Sequence, residues 1–65
     1  MLAQTIRKLR TERGFSQERL ARKADIATVT LVKIEAGAAK SPTIQTVVKL
    51  AKALNISLDD LVKGR

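Results

Sequence analysis

The chain has no cysteine and no histidine. Disulfides and thiolate metal sites are thereby excluded, and zinc binding or catalysis by an imidazole base lacks the side chains it needs. An enzyme is the weakest functional class for this sequence, with no catalytic residue, metal ligand or cofactor site to name. Aromatic residues are nearly absent, with Phe15 alone, and one proline and three glycines are the only strong backbone punctuators. That composition suits a helical bundle rather than a disordered chain. No apolar run approaches the ~18 residues of a membrane span, because Lys49 and Lys52 interrupt the best candidate, and the N-terminus lacks the apolar stretch of a signal peptide. A cytoplasmic protein without membrane contact is the expectation. Acidic residues are scarce too, 6 against 13 lysines and arginines, which gives a net charge of +7.

At 65 residues the chain has room for one domain, residues 1–65. A domain of this size without disulfide or metal must draw its stability from an efficiently packed apolar core. The 45% hydrophobic content, nearly all Leu, Ile, Val and Ala, makes that feasible.

Helical periodicity starts at once, with Leu2, Ile6 and Leu9 at spacings of four and three. Gly14 reads as the stop of this first helix, since glycine most easily takes the left-handed conformation that closes one. Ser16 then caps a second helix over 17–24, and Phe15 is spaced from Leu20 as a hydrophobic staple. A third helix, over about 28–36, carries Leu31 and Ile34 and ends at Gly37. Residues 38–42 read as a loop. Thr43 caps a fourth helix whose Val47, Leu50, Ala51 and Leu54 form one apolar stripe, and Asn55 ends it. Ser57 caps a short fifth helix ending near Lys63, with Asp60 placed as the acid of a capping box and Ile56 as a staple to Leu61. The fold class is all-α, five helices joined by short loops.

Only about three residues, 25–27, separate the second and third helices, a connection typical of helices meeting at a steep angle. In a basic protein this raises the helix-turn-helix, whose second helix enters the DNA major groove. Leu20, Ala24, Ile26, Leu31 and Ile34 supply the inner apolar positions and Ala21 the small residue at the close approach. The sequence here resembles the phage repressor and Cro family, the lambda-repressor-like or XRE-type helix-turn-helix domains. Arg10 and Gly14, Ser16-Gln17-Glu18-Arg19-Leu20-Ala21, Ile34-Glu35-Ala36-Gly37, Pro42, and the closing stretch from Leu50 to Leu61 carry the resemblance over nearly the whole chain.

The resemblance implies a compact five-helix domain that binds an operator in double-stranded DNA, acting as a transcriptional regulator of the repressor kind, in a bacterial or phage-infected host. It implies base-edge contacts from Thr28, Val29, Val32 and Lys33 on the third helix. Backbone contacts would come from Ser16 and Gln17, and from Lys40, Ser41 and Thr43. It further implies a structural ion pair between Arg10 and Glu35, with a phosphate contact as the alternative role of Arg10. Self-association, weak and on DNA, would use Leu58, Leu61 or Val62. No cofactor and no small-molecule ligand is implied. By donor and acceptor chemistry Lys33 can reach guanine O6 or N7, while Val29, Val32 and the Thr28 methyl suit thymine methyl groups.

Other roles compete with these. The three serines at loop-to-helix junctions are caps before they are nucleophiles, and Arg7, Lys8, Arg19, Arg22, Lys49 and Lys52 read as solvated helix faces. Val29 and Val32 could be core, base contacts or a protein interface. The third choice suits an antitoxin-like or coactivator-like interaction module, and so does the neutrality of residues 24–43, which hold two basic and two acidic side chains. Three departures from the family pattern stand out. Asp25 occupies a turn position that commonly has glycine, and Ala27 stands where a capping Ser or Thr is common, opening a shift of the cap to Thr28. Ala36, Ala38 and Ala39 replace polar residues that supply backbone contacts in the family.

Overall fold

The computed structural model describes residues 2–38 and 43–63. Five helices follow one another, α1 (Leu2–Glu12), α2 (Gln17–Ala24), α3 (Thr28–Glu35), α4 (Ile44–Leu54) and α5 (Leu58–Lys63), with no strand among the described residues. The third helix closes one residue earlier than its periodicity predicts, Ala36 having φ −79° and ψ −8°.

Four helix ends use one device. The chain turns left-handed at Gly14 (φ 72°), Asp25 (φ 58°), Gly37 (φ 74°) and Asn55 (φ 59°). In each case the next residue donates its N–H back five positions: Phe15 to Arg10 O, Ile26 to Ala21 O, Ala38 to Lys33 O and Ile56 to Ala51 O, all at 2.9–3.0 Å. These are Schellman closures, which satisfy carbonyls that a helix end would otherwise leave bare. Asp25 and Asn55 adopt the conformation at some cost, since a Cβ crowds the carbonyl there, but short polar side chains tolerate it best. Phe15, Ile26 and Ile56, which follow three of these turns, pack against the core.

The starts are capped by side chains where a hydroxyl is available. Ser16 Oγ accepts from Arg19 N–H at 3.0 Å, Thr43 Oγ1 from Thr46 N–H at 3.2 Å, and Ser57 Oγ from Asp60 N–H at 3.0 Å. At α3 the capping position stays with Ala27, which has no side chain to cap with, and Thr28 is already helical. The cap therefore does not shift to Thr28.

One core joins the helices: Ile6 and Leu9 of α1, Leu20, Ala21 and Ala24 of α2, Leu31 and Ile34 of α3, the stripe Val47, Leu50, Ala51 and Leu54 of α4, and Leu61 of α5. The second helix packs on α3 and α4, while α1 lies against α3 and α5. Ala21 is fully buried, so a larger side chain there would push α2 off its neighbours. Leu61 is also fully buried, which removes it from the expected self-association surface; of that set Val62 is exposed and Leu58 half-buried against the core. No helix among the described residues is long and apolar enough to cross a membrane.

Candidate nucleic-acid interface

Eight residues of α3 divide cleanly around the helix. At about 100° per residue, Thr28, Val29, Val32 and Lys33 occupy one half of the wheel and Thr30, Leu31, Ile34 and Glu35 the other. Burial follows the same division. Leu31 and Ile34 lie in the core, Thr30 and Glu35 are half-buried, and Thr28, Val29, Val32 and Lys33 are exposed. Val29 is 58% and Val32 39% exposed, which excludes a core role for both. This helix thus carries apolar side chains on both faces, one set packed and one set open. Because Ala27 caps with no side chain, the N–H groups that open α3 also have no side-chain acceptor.

The rigidity of this face comes from beneath. Arg10 of α1 reaches Glu35 at the end of α3 with two donors, Nε to Oε2 at 2.7 Å and Nη2 to Oε1 at 3.1 Å. Its remaining terminal nitrogen donates to Phe15 O at 2.8 Å, just before α2 begins. The Arg10 and Glu35 side chains are only 13% and 4% exposed. A forked guanidinium matched to a carboxylate fixes orientation as well as charge. Each guanidinium nitrogen thus gives one of its N–H groups to a partner within the protein, which gives Arg10 a structural role.

Gln17 enters the same network. Its Nε2 donates to Glu35 Oε1 at 3.1 Å, so the amide sits over the carboxylate instead of pointing freely outward from the start of α2. Two separate segments, the start of α2 and the end of α3, are tied to α1 through one buried carboxylate. The sequence placed Gln17 on a phosphate and gave no sign of this bond, which spans 18 residues and follows no periodicity.

The other named residues fall as follows. Ser16 and Thr43 are exposed at the starts of α2 and α4, and each uses its hydroxyl oxygen as a cap acceptor. Lys40 and Ser41, like Ala39 and Pro42, lie outside the described residues. Phe15 supports two cations, with Arg19 and Lys23 at 5.6 and 5.3 Å from its ring centroid. Arg22 instead pairs with Glu18 one turn earlier at 2.9 Å, both side chains being open to solvent. Such an exposed pair contributes little to stability. One exposed residue escaped the sequence reading. Ile44 is 65% exposed although it stands three before Val47, on the stripe that periodicity assigns to the core; its place at the first turn of α4 carries it out of the packing. Arg7 lines a groove with Gln17, Val32 and Glu35.

Comparison with known proteins adds to this geometry. The family model HTH_3, described as helix-turn-helix, matches residues 6–61. The chain is 38% identical over 64 residues to the SPbeta prophage-derived uncharacterized HTH-type transcriptional regulator YonR of Bacillus subtilis, covering 98% of this chain and 58% of that protein. Among solved structures it is similar to SinR, the master regulator for biofilm formation, in complex with DNA, with a TM-score of 0.90 and 35% identity over 95% of this chain and 98% of that one. It is also similar to the restriction-modification controller protein C.AhdI from Aeromonas hydrophila, with a TM-score of 0.88 and 33% identity over 92% of this chain and 89% of that one. The chain spans 56–59% of the length of the curated relatives it matches.

Proposed function

The chain belongs to the helix-turn-helix family, and on that footing we propose that it regulates transcription by binding an operator in duplex DNA, with α3 in the major groove. The observation that carries this is the division of α3 into a packed half and an open half, on a domain whose backbone matches that of a regulator solved with DNA. An eight-residue helix that keeps Thr28, Val29, Val32 and Lys33 out of the core presents a donor, a hydroxyl and apolar contacts to whatever it meets. Those groups suit a site with thymine methyls and a nearby guanine. Bound there, the protein would exclude the transcription machinery without catalysis, with base contacts giving specificity and phosphate contacts setting register.

For the backbone contacts, Ser16 retains its hydroxyl proton after capping and Thr43 stands at the start of α4. Lys40 and Ser41 belong to the proposal on sequence alone. Gln17 serves it chiefly by fixing Glu35. A second copy would meet the first weakly, through Val62 and the exposed part of Leu58, on an operator of two-fold symmetry. Because duplex DNA is the partner, the protein is placed in the cytoplasm of a bacterial or phage-infected host.

Selection from a random duplex pool tests this, run beside the triple variant Thr28→Ala, Val29→Ala, Lys33→Ala. A motif with half-sites about 10 base pairs apart, enriched by the parent and not by the variant, is the expected result. Salt-sensitive binding shared by both proteins with no motif would refute it. The exposure of Val29 and Val32 also suits an antitoxin-like or coactivator-like protein-binding face. In that case Lys33→Ala keeps the partner, whereas Val29→Ser with Val32→Ser loses it.

A further inference from the structure

We infer that Arg7 seats a backbone phosphate of the bound duplex, in the groove where α1, the start of α2 and the end of α3 meet. This rests on the DNA reading above and adds to it a contact for which the sequence gave no sign. The groove has a volume of about 370 Å³ and is lined by Arg7, Arg10, Gln17, Val32, Glu35 and Ala36. Its charges are unequal in availability. The Glu35 carboxylate is 4% exposed and already receives two Arg10 nitrogens and the Gln17 amide. Arg10 in turn is held by bonds from each of its nitrogens, to Glu35 and to Phe15 O.

Arg7 differs from both. It is exposed, one turn before Arg10 on α1, and among the described residues its guanidinium has no hydrogen bond or ion pair. With Arg10 and Glu35 cancelling, Arg7 leaves the groove with one net positive charge and a forked set of donors free to face an anion.

The groove shares Val32 with the open half of α3. A duplex that receives this half in its major groove brings the phosphates bordering the groove alongside the helix, because the major groove is only about 12 Å wide. A free cation on the rim of the recognition helix therefore meets backbone, not bases. Its effect is on affinity for every sequence, and the base preference stays with α3.

The salt dependence of binding measures this directly. Observed binding constants for a selected duplex and an unrelated one are compared between 50 and 200 mM salt for the parent, Arg7→Ala, Arg7→Lys and Lys52→Ala, the last removing an equal charge from the exposed side of α4. Each lost phosphate contact lowers the slope of log K against log salt by about 0.9. Arg7→Ala should lose about that much on operator and unrelated duplex alike, Arg7→Lys should keep most of the parent slope, and Lys52→Ala should match the parent. Thermal unfolding of Arg7→Ala should coincide with the parent, since its side chain holds nothing in place. A parent-like slope for Arg7→Ala, or an equal loss for Lys52→Ala, overturns the assignment while leaving DNA binding intact. Failure of duplex binding altogether looks different, as the parent itself then shows no salt-dependent binding and both fall together; salt-dependent binding without a selected motif refutes the operator alone and leaves the Arg7 slope to be read.

Discussion

Removing Arg10 should come close to unfolding the protein, although it forms no part of the core. Arg10→Met keeps the stem of the side chain and deletes the guanidinium, leaving Glu35, 4% exposed, with the Gln17 amide at 3.1 Å as its remaining donor. It also leaves Phe15 O without its donor. Breaking a buried pair from one side costs about 3–5 kcal/mol, because a charge stays behind without its counterpart. The Gln17 bond and the partial exposure of Arg10 place the expected loss near the lower end, about 3 kcal/mol. A 65-residue domain has about 3–10 kcal/mol of stability in all. With a urea dependence of about 1 kcal/mol per molar for so small a protein, the unfolding midpoint should fall by about 3 M.

Urea titration followed by circular dichroism, on Arg10→Met, Glu35→Leu and the double variant, completes the cycle. The double variant replaces the pair by apolar side chains of similar volume, so it should recover at least half of the loss seen in Arg10→Met; with Glu35→Leu alone costing about 1 kcal/mol or more, the interaction energy is at least about 2.5 kcal/mol. Losses under about 1 kcal/mol for each single variant, the range of an exposed pair, would show that Arg10 and Glu35 do not act as a buried pair. So would simple additivity in the double variant.

Other expectations concern the turns, the caps and the core. Gly14→Ala should cost about 1–2 kcal/mol in the same titration even though an added Cβ meets nothing within 4 Å, because the strain lies in the backbone at φ 72°. Asp25→Gly should be neutral to stabilising by up to about 1 kcal/mol, as relief of the left-handed conformation competes with a more flexible unfolded chain. Ala27→Ser should raise stability by about 1 kcal/mol by supplying the cap α3 lacks, read as a higher thermal midpoint. Leu50→Ala, at a fully buried position, should cost about 2–5 kcal/mol.

Much of this fold is written in local signals. The stripe Val47, Leu50, Ala51 and Leu54 is the buried face of α4, and Ser16, Thr43 and Ser57 each cap the helix that follows. Such features depend on residues within one or two turns, which is why spacing reveals them. Ile44 lies on the same period as Val47 and is nonetheless exposed, since periodicity says nothing about where packing stops at a helix end. Leu61 shows the reverse. An apolar residue in a short terminal helix is compatible with a partner surface or with the core, and only the packing of α5 on α1 and α4 decides for the core.

The site was less legible than the fold. The outward placement of Thr28, Val29, Val32 and Lys33 was legible because the inward positions Leu31 and Ile34 fix the opposite half of the helix. Gln17 and Arg7 could not be resolved in this way. Whether a polar side chain is committed or free depends on neighbours 18 or more residues away, Glu35 for one and the groove beside Val32 for the other.

The most direct measurement is a titration of the isotope-labelled protein with a selected duplex, following backbone amide shifts by NMR. Binding through α3 predicts the largest shifts at Thr28 to Lys33 and around Ser16 and Gln17, with smaller ones at Thr43 and, where a second copy meets the first, around Val62. Shifts that leave Thr28 to Lys33 untouched, or no shifts at any duplex concentration, would contradict a regulator that reads DNA through the open half of α3.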